Sequence, residues 1–204
     1  MKNFILFCFL LFTQWLNAQD FEKNGMDTTY IPIGLKVGSL APDISLPTVN
    51  GDFFSLADAI QHKKVVLVFY RGQWCPYCSR HLSNLNDSLN LINEKNAIVV
   101  AIGPETVNNA EKMLDKSGNG LLIIADEEMK TLTDYDVLFT VTENYQKKIK
   151  RFLVTDIGKN NGQKEAKLPV PATYVINQDG TIVYRHFEYN YRTRSTIKDI
   201  IGEL

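Results

Sequence analysis

Cys75 and Cys78 stand three apart in the tetrapeptide Cys75-Pro76-Tyr77-Cys78, and no other residues of this chain are so clearly equipped for chemistry. Two thiols at that spacing can exchange their protons for a sulfur–sulfur bond and pass two electrons. A structural zinc site needs four ligands. One C-x-x-C with three scattered histidines, His62, His81 and His186, offers no second half, so no metal and no other cofactor is expected. The third cysteine, Cys8, lies in the apolar run Phe4–Phe12. With Lys2 before that run and Asn17–Ala18 after it, residues 1–19 read as a secretory signal peptide. Its cleavage would discard Cys8 and export the protein to a periplasmic or extracellular space. An exported chain with a single remaining pair has no structural disulfide framework, which points to a redox dithiol.

Composition narrows the alternatives. Lys and Arg number 22 against 23 Asp and Glu, a formal net charge of −1. That balance does not suit a general nucleic-acid binder or a protein held on anionic membranes. No apolar run reaches the ~18–20 residues of a membrane span, so the mature form is expected to have none. At 45% hydrophobic residues the chain can build a core.

The elements that must position the dithiol follow from residue periodicity. Ile44–Val49 and Asp52–Leu56 flank Asn50-Gly51, a strong hairpin signal. Lys64–Tyr70 is a continuous apolar, β-branched run, as expected of a strand buried on both faces. After the loop Arg71–Trp74 a helix starts at the cysteines, with Pro76 suited to its first turn. Leu82, Leu85, Leu89 and Ile92 recur on one helical face. Strands are expected at Asn96–Ile102 and Leu121–Ala125. Helices are expected around Val107–Leu114, stopped by Gly118 and Gly120, and at Glu127–Tyr135. Residues 139–168, with the basic run Lys147–Arg151, read as an insertion loop with some helix. Ala172–Asn177 and Thr181–Phe187 form a closing hairpin, and Thr196–Leu204 a last helix. Alternating strands and helices imply a mostly parallel central sheet with right-handed crossovers. The dithiol then lies at the carboxyl end of a central strand, where open α/β sheets place their sites. Residues 20–34 read as a flexible lead-in, and residues 35–204 as the domain.

This order resembles the thioredoxin-like fold: α/β, a central mixed sheet with an N-terminal β-hairpin extension and an insertion before the last hairpin. The stretch VVLVFYRGQWCPYC at residues 65–78 is similar to the peroxiredoxin-like branch of the alkyl hydroperoxide reductase / thiol-specific antioxidant family. Leu168-Pro169-Val170-Pro171-Ala172-Thr173 followed by YVINQDG, and Tyr191-Arg192-Thr193-Arg194, agree with that branch. C-P-Y-C alone also looks like glutaredoxin, but glutaredoxins are shorter and lack the leading hairpin and the insertion. In peroxiredoxins the peroxidatic cysteine follows a T-x-x pattern. Here Cys78 falls on the peroxidatic position and Cys75 replaces the threonine. The later arginine of that family has no match around Val170–Tyr174.

Helix position favours Cys75 as the nucleophile, because it is nearer the end of the dipole and expected to be the more exposed. The resemblance favours Cys78 for attack on peroxide, with Cys75 resolving the sulfenic acid to a disulfide. It also implies that Pro171 is a cis-proline facing the dithiol, with the backbone of Val170 open to a bound thiol partner. Trp74 can cover one side of the sulfurs, and Arg71 can favour the thiolate electrostatically. Arg80 is expected to point to solvent, and Lys147–Arg151 to be a solvated face. His81 reads as a partly buried structural histidine before a proton shuttle. Tyr184, Tyr189 and Tyr191 read as packing at the edge hairpin. The function expected is a thiol-based antioxidant enzyme that reduces hydroperoxides and is recycled by a thioredoxin-type reductant. The competing readings are a disulfide reductase or oxidase acting on exported proteins, and a binding module.

Overall fold

The computed structural model describes residues 21–204; the expected signal segment 1–19 lies outside them. A hairpin comes first: β1 (Ser45–Pro47) pairs antiparallel with β2 (Phe53–Ser55). Ser55 caps the short helix α1 (Leu56–Ala59), its hydroxyl accepting from the Asp58 amide. Then follow β3 (Lys64–Phe69), α2 (Pro76–Asp87), α3 (Leu89–Glu94), β4 (Ala97–Gly103), α4 (Val107–Ser117), β5 (Leu122–Ala125) and α5 (Lys130–Asp134). The insertion holds β6 (Leu138–Thr140), α6 (Glu143–Leu153), α7 (Ile157–Asn160) and β7 (Lys167–Pro169). β8 (Ala172–Ile176), β9 (Ile182–Phe187) and α8 (Ile197–Gly202) close the chain.

The central sheet has the order β5-β4-β3-β8-β9. β3, β4 and β5 run parallel, whereas β8 and β9 are antiparallel. β3 therefore sits in the middle. Its period of two sends Val66 and Val68 into one core with Leu82, Leu85 and Ile200, and Val65, Leu67 and Phe69 into the other with Leu56, Leu132 and Tyr135. The mixed sheet, leading hairpin and late insertion agree with the expected fold.

Three regions differ in detail from expectation. The helix expected to run unbroken through Ile92 is broken at Ser88, whose ψ of 5° ends α2 and starts α3. The insertion is ordered, with two helices and a small β6–β7 sheet rather than a loop. Residues 21–34, expected as a flexible lead-in, are docked on the domain. Met26 is buried and bridges Val141, Phe21 meets Tyr189 edge-on at 4.8 Å, and the Asp27 amide donates to the Thr140 carbonyl. Those apolar contacts, spaced among charged residues, outweigh the local polarity of the segment. Among the described residues no helix is long and apolar enough to cross a membrane.

Candidate active site

β3 delivers the chain to the site, and a tight loop turns it into α2. Gly72 sits at φ +149°, and a Cβ there would lie 2.4 Å from Nε1 of Trp74. The tryptophan can fold back over the loop only because this residue is glycine. Cys75 is the N-cap of α2, and Pro76 takes the first helical position, where no amide hydrogen is needed. The Cys75 carbonyl accepts from the Cys78 amide at 3.0 Å and the Ser79 amide at 3.1 Å. One turn thus holds both sulfurs on one face of the helix. Both cysteines are free thiols.

Cys75 is the more exposed of the two only marginally, and neither sulfur is open to solvent. Cys75 is 2% and Cys78 1% exposed, within a core cluster that also holds Trp74. The helix end is covered by the insertion and by the segment after β9. The two sulfurs have opposite surroundings. Cys78 Sγ accepts from the backbone amide of Arg71 at 3.4 Å and from Nη2 of Arg194 at 3.5 Å. Burial pushes its thiol up, but the Cys75 thiol, Arg194 and Arg71 together bring it down to about 5. The thiol of Cys75 moves well above its ordinary range, because it is the proton donor to Cys78 and because it is buried. The dithiol therefore holds one proton on Cys75 and a thiolate on Cys78 near neutral pH.

Arg71 is 1% exposed and lies in an aromatic cage. Its guanidinium carbon is 4.2 Å from the Tyr191 ring centre, 5.2 Å from that of Tyr145 and 5.3 Å from that of Trp74. Nη2 donates to the Tyr145 hydroxyl at 2.8 Å, while Nε and Nη1 have no hydrogen-bond partner among the described residues. No carboxylate pairs with it there. A buried cation without a carboxylate is expensive. Burial opposes its charge, and Tyr145 and both cysteines outweigh that and hold it protonated.

Glu105, at the end of β4, anchors the loop. It is fully buried and accepts the Gln73 amide at 2.8 and 3.1 Å and Nδ2 of Asn160 at 3.1 Å. Burial raises its carboxyl. Asn160 ends α7, so the same carboxylate ties the cysteine loop to the insertion.

The remaining expectations sort as follows. Pro171 is not cis: among the described residues no peptide bond is. It joins β7 to β8, and the chain on both sides is already committed to extended pairing, β7 with β6 and β8 with β3. The amide of buried Val170 donates to the Val137 carbonyl at 2.7 Å, so it is not open to a partner. Trp74 packs beside the dithiol and Arg80 is exposed, as expected. His81 is buried against Ser195, 3.3 Å from its hydroxyl, and burial followed by Arg194 lowers it to about 3. It is a neutral packing residue at neutral pH. The basic side chains of the run, Lys147, Lys148, Lys150 and Arg151, are solvated, with Lys147 paired to Glu143 and Lys150 to Asp156, while Ile149 between them is buried. Tyr191 does more than pack at an edge, since it forms the near wall of the Arg71 cage.

Sequence reasoning gave no role to Tyr145 or Glu105, read Tyr191 only as packing at the edge hairpin, and singled out Arg194 only as part of the motif Tyr191–Arg194. The basic segment after the last hairpin was visible as a motif, and it brings Nη2 of Arg194 to 3.5 Å from Cys78 Sγ. Nothing in the sequence ties Tyr145 to Arg71, which are separated by 74 positions.

A dithiol at a helix end beside the central strand of a mixed sheet, with one sulfur charged by arginines, defines a thioredoxin-fold thiol oxidoreductase. The AhpC/TSA family model matches residues 37–185, and the chain belongs to that family. A Helicobacter pylori protein provisionally named peroxiredoxin bcp is 28% identical over 170 residues, 83% of this chain and 98% of that relative. Its counterpart in a second strain is 34% identical over 101 residues, 50% of this chain and 66% of the relative. The structure of a cysteine-to-serine variant of Xylella fastidiosa PrxQ superposes with a TM-score of 0.65 at 15% identity, covering 84% of this chain and 96% of that one. Family, relatives and fold make the protein a thiol-based peroxidase of peroxiredoxin type.

Proposed function

We propose that Cys78 attacks the hydroperoxide, that Cys75 resolves the product to a disulfide, and that a thioredoxin-type protein outside the cytosol restores the dithiol. The observation that carries this reading is the asymmetry of the pair: Arg194 and the Arg71 amide both donate to Cys78 Sγ, while Cys75 keeps the proton. The Cys78 thiolate takes the terminal oxygen of ROOH, the O–O bond breaks, and the alkoxide leaves with a proton as ROH. Cys75 then attacks the sulfenic sulfur, and its proton leaves with the hydroxide as water. Two electrons from the reductant's dithiol cleave the Cys75–Cys78 disulfide. Arg71 and Arg194 hold the anion before attack. Relatives named as peroxiredoxins favour peroxide over a protein disulfide as the oxidant.

Sulfenate trapping tests the assignment. Cys75→Ser protein treated with peroxide is expected to accumulate a sulfenic acid that a dimedone-type probe labels, and Cys78→Ser protein is not. Label on the Cys78→Ser protein would reverse the roles. Export is supported by the pattern of residues 1–18, and fractionation of the producing cell with sequencing of the mature N-terminus tests it. A mature chain that still begins at Met1 in the cytosol would remove that part.

A further inference from the structure

Between the first turns of α2 and the segment after β9 lies a cavity of about 370 Å³, separated from Cys78 by Arg194, which lines it and reaches the sulfur. Tyr77, Arg80 and His81 line it from α2, and Arg192, Arg194 and Ser195 from the opposite side. No carboxylate lines it. His81 is neutral, so the charge of the cavity is that of three guanidinium groups. Among the described residues none of the three makes an ion pair. They are also graded in position. Arg194 is pinned by bonds from Nη1 to the carbonyls of Tyr191 and Thr193, and its other nitrogen reaches Cys78 Sγ. Arg192 lies over the rings of Tyr191, at 4.6 Å, and Tyr77, at 5.9 Å. Arg80 stands at the exposed mouth.

We propose that this cavity is a carboxylate subsite of the dithiol. Arg80 and Arg192 hold the carboxylate of a small acidic substrate, Tyr77 packs on its carbon chain, and its reactive end points past Arg194 to Cys78. Planar guanidinium groups suit carboxylates, which they can bind with two hydrogen bonds. Arg194 both lines the cavity and reaches Cys78 Sγ, so this basic group adjoins the reacting atom. The inference rests on the peroxidase reading and adds a substrate class to it. On a hydroperoxide the carboxylate passes through unchanged, while the terminal oxygen goes to sulfur and the alcohol departs. The same group on a small acidic thiol would seat a reductant, two such thiols becoming one disulfide as the Cys75–Cys78 bond is reduced.

The test uses the full chain and an Arg80→Gln/Arg192→Gln double variant, neither residue being in contact with the sulfurs. A carboxylate-bearing alkyl hydroperoxide is compared with its methyl ester, and glutathione with its diethyl ester as reductant of the disulfide form. Hydrogen peroxide serves as the control. The acid is expected to exceed its ester in kcat/KM by roughly tenfold or more. The double variant should bring the two within about twofold and leave hydrogen peroxide unchanged. A loss confined to the hydroperoxide pair assigns the subsite to the oxidant, and a loss confined to the thiol pair assigns it to the reductant. Equal rates for acid and ester in both pairs, or a preference that survives the double variant, would overturn the subsite. Alkylation mapped to Cys78 separates this from the reaction assignment: the iodoacetate-to-iodoacetamide rate ratio should fall in the double variant whether or not peroxide is consumed. A fallen ratio without peroxide turnover keeps the subsite and sinks the peroxidase cycle. An unchanged ratio with turnover does the reverse.

Discussion

Two parts of the chain meet at the sulfurs, and they are assembled on different principles. Residues 70–78 are contiguous: strand end, glycine turn, N-cap and first helical turn follow one another, and local geometry alone brings Arg71 and Cys78 together. The second part is assembled from afar. Tyr145 comes from the insertion helix, and Tyr191 and Arg194 from an irregular segment after the last strand. The first part supplies the reacting atoms. The second supplies the walls and half of the charge. A C-x-x-C loop can thus keep its geometry while its reactivity is set by residues that share none of its sequence neighbourhood.

The comparison breaks most readily at the charge. Arg194→Gln, which removes the guanidinium bonded to Cys78 Sγ, should raise the pH midpoint of Cys78 alkylation by about one pH unit (~1.4 kcal/mol), without moving the helix. Arg71→Met, which keeps the backbone amide on the sulfur and removes only the more weakly acting charge, should raise it by less. Its melting temperature should change little, since an apolar side chain relieves the cost of burying a lone cation. A variant that unfolds without a change in thiolate reactivity would show the cage to be structural only.

The pH dependence sharpens the same point. Cys78 is held at about 5 in the fold, and a free thiol titrates near 8.5. A depressed group stabilises the fold fully above its unfolded value and loses that stability as pH falls through the folded one. The reduced protein should therefore lose stability steadily from about pH 8.5 down to pH 5 relative to Cys78→Ser, measured as urea midpoints. Alkylation of Cys78 should be flat above pH 6 and fall below 5. A rate midpoint near 8.5 would mean that the guanidinium groups do not govern the sulfur.

Smaller effects remain. Tyr145→Phe removes the one hydroxyl that bonds Arg71 and should cost ~1–2 kcal/mol of stability, with little change in the alkylation rate at neutral pH. Thr196→Ala deletes one side of the capping box of α8, which follows directly on Arg194-Ser195. It should cost ~1 kcal/mol and leave the peroxide rate within about twofold.

These two parts also differ in how far they can be read from residues alone. The strand, the loop, the helix start and the roles open to Arg71 and Trp74 all follow from spacing and residue type within nine positions. The parallel core strands are equally legible, because a run such as Lys64–Tyr70 has few other places to go. The insertion is not legible. Ile149 and Tyr145 face inward between lysines, and their partners are set by tertiary packing. Pro171 shows the limit of resemblance: a motif carries its residues over, but not the isomer of its peptide bond, which here is trans. Arg194 illustrates the converse. A guanidinium reaches the sulfur from a segment more than a hundred positions away, where no local pattern pointed to it.

Gly25 has a bearing on where the working unit begins. At φ +90° it lies flat against Tyr145, and a side chain there would start 2.5 Å from that ring. The stretch before Leu35 is thus a brace behind the tyrosine that orients Arg71. A chain shortened to begin after residue 18 or 19 keeps this brace. Trimming to residue 35 would take away the backing of the cage, and with it the fixed seat of the cation that governs the sulfur.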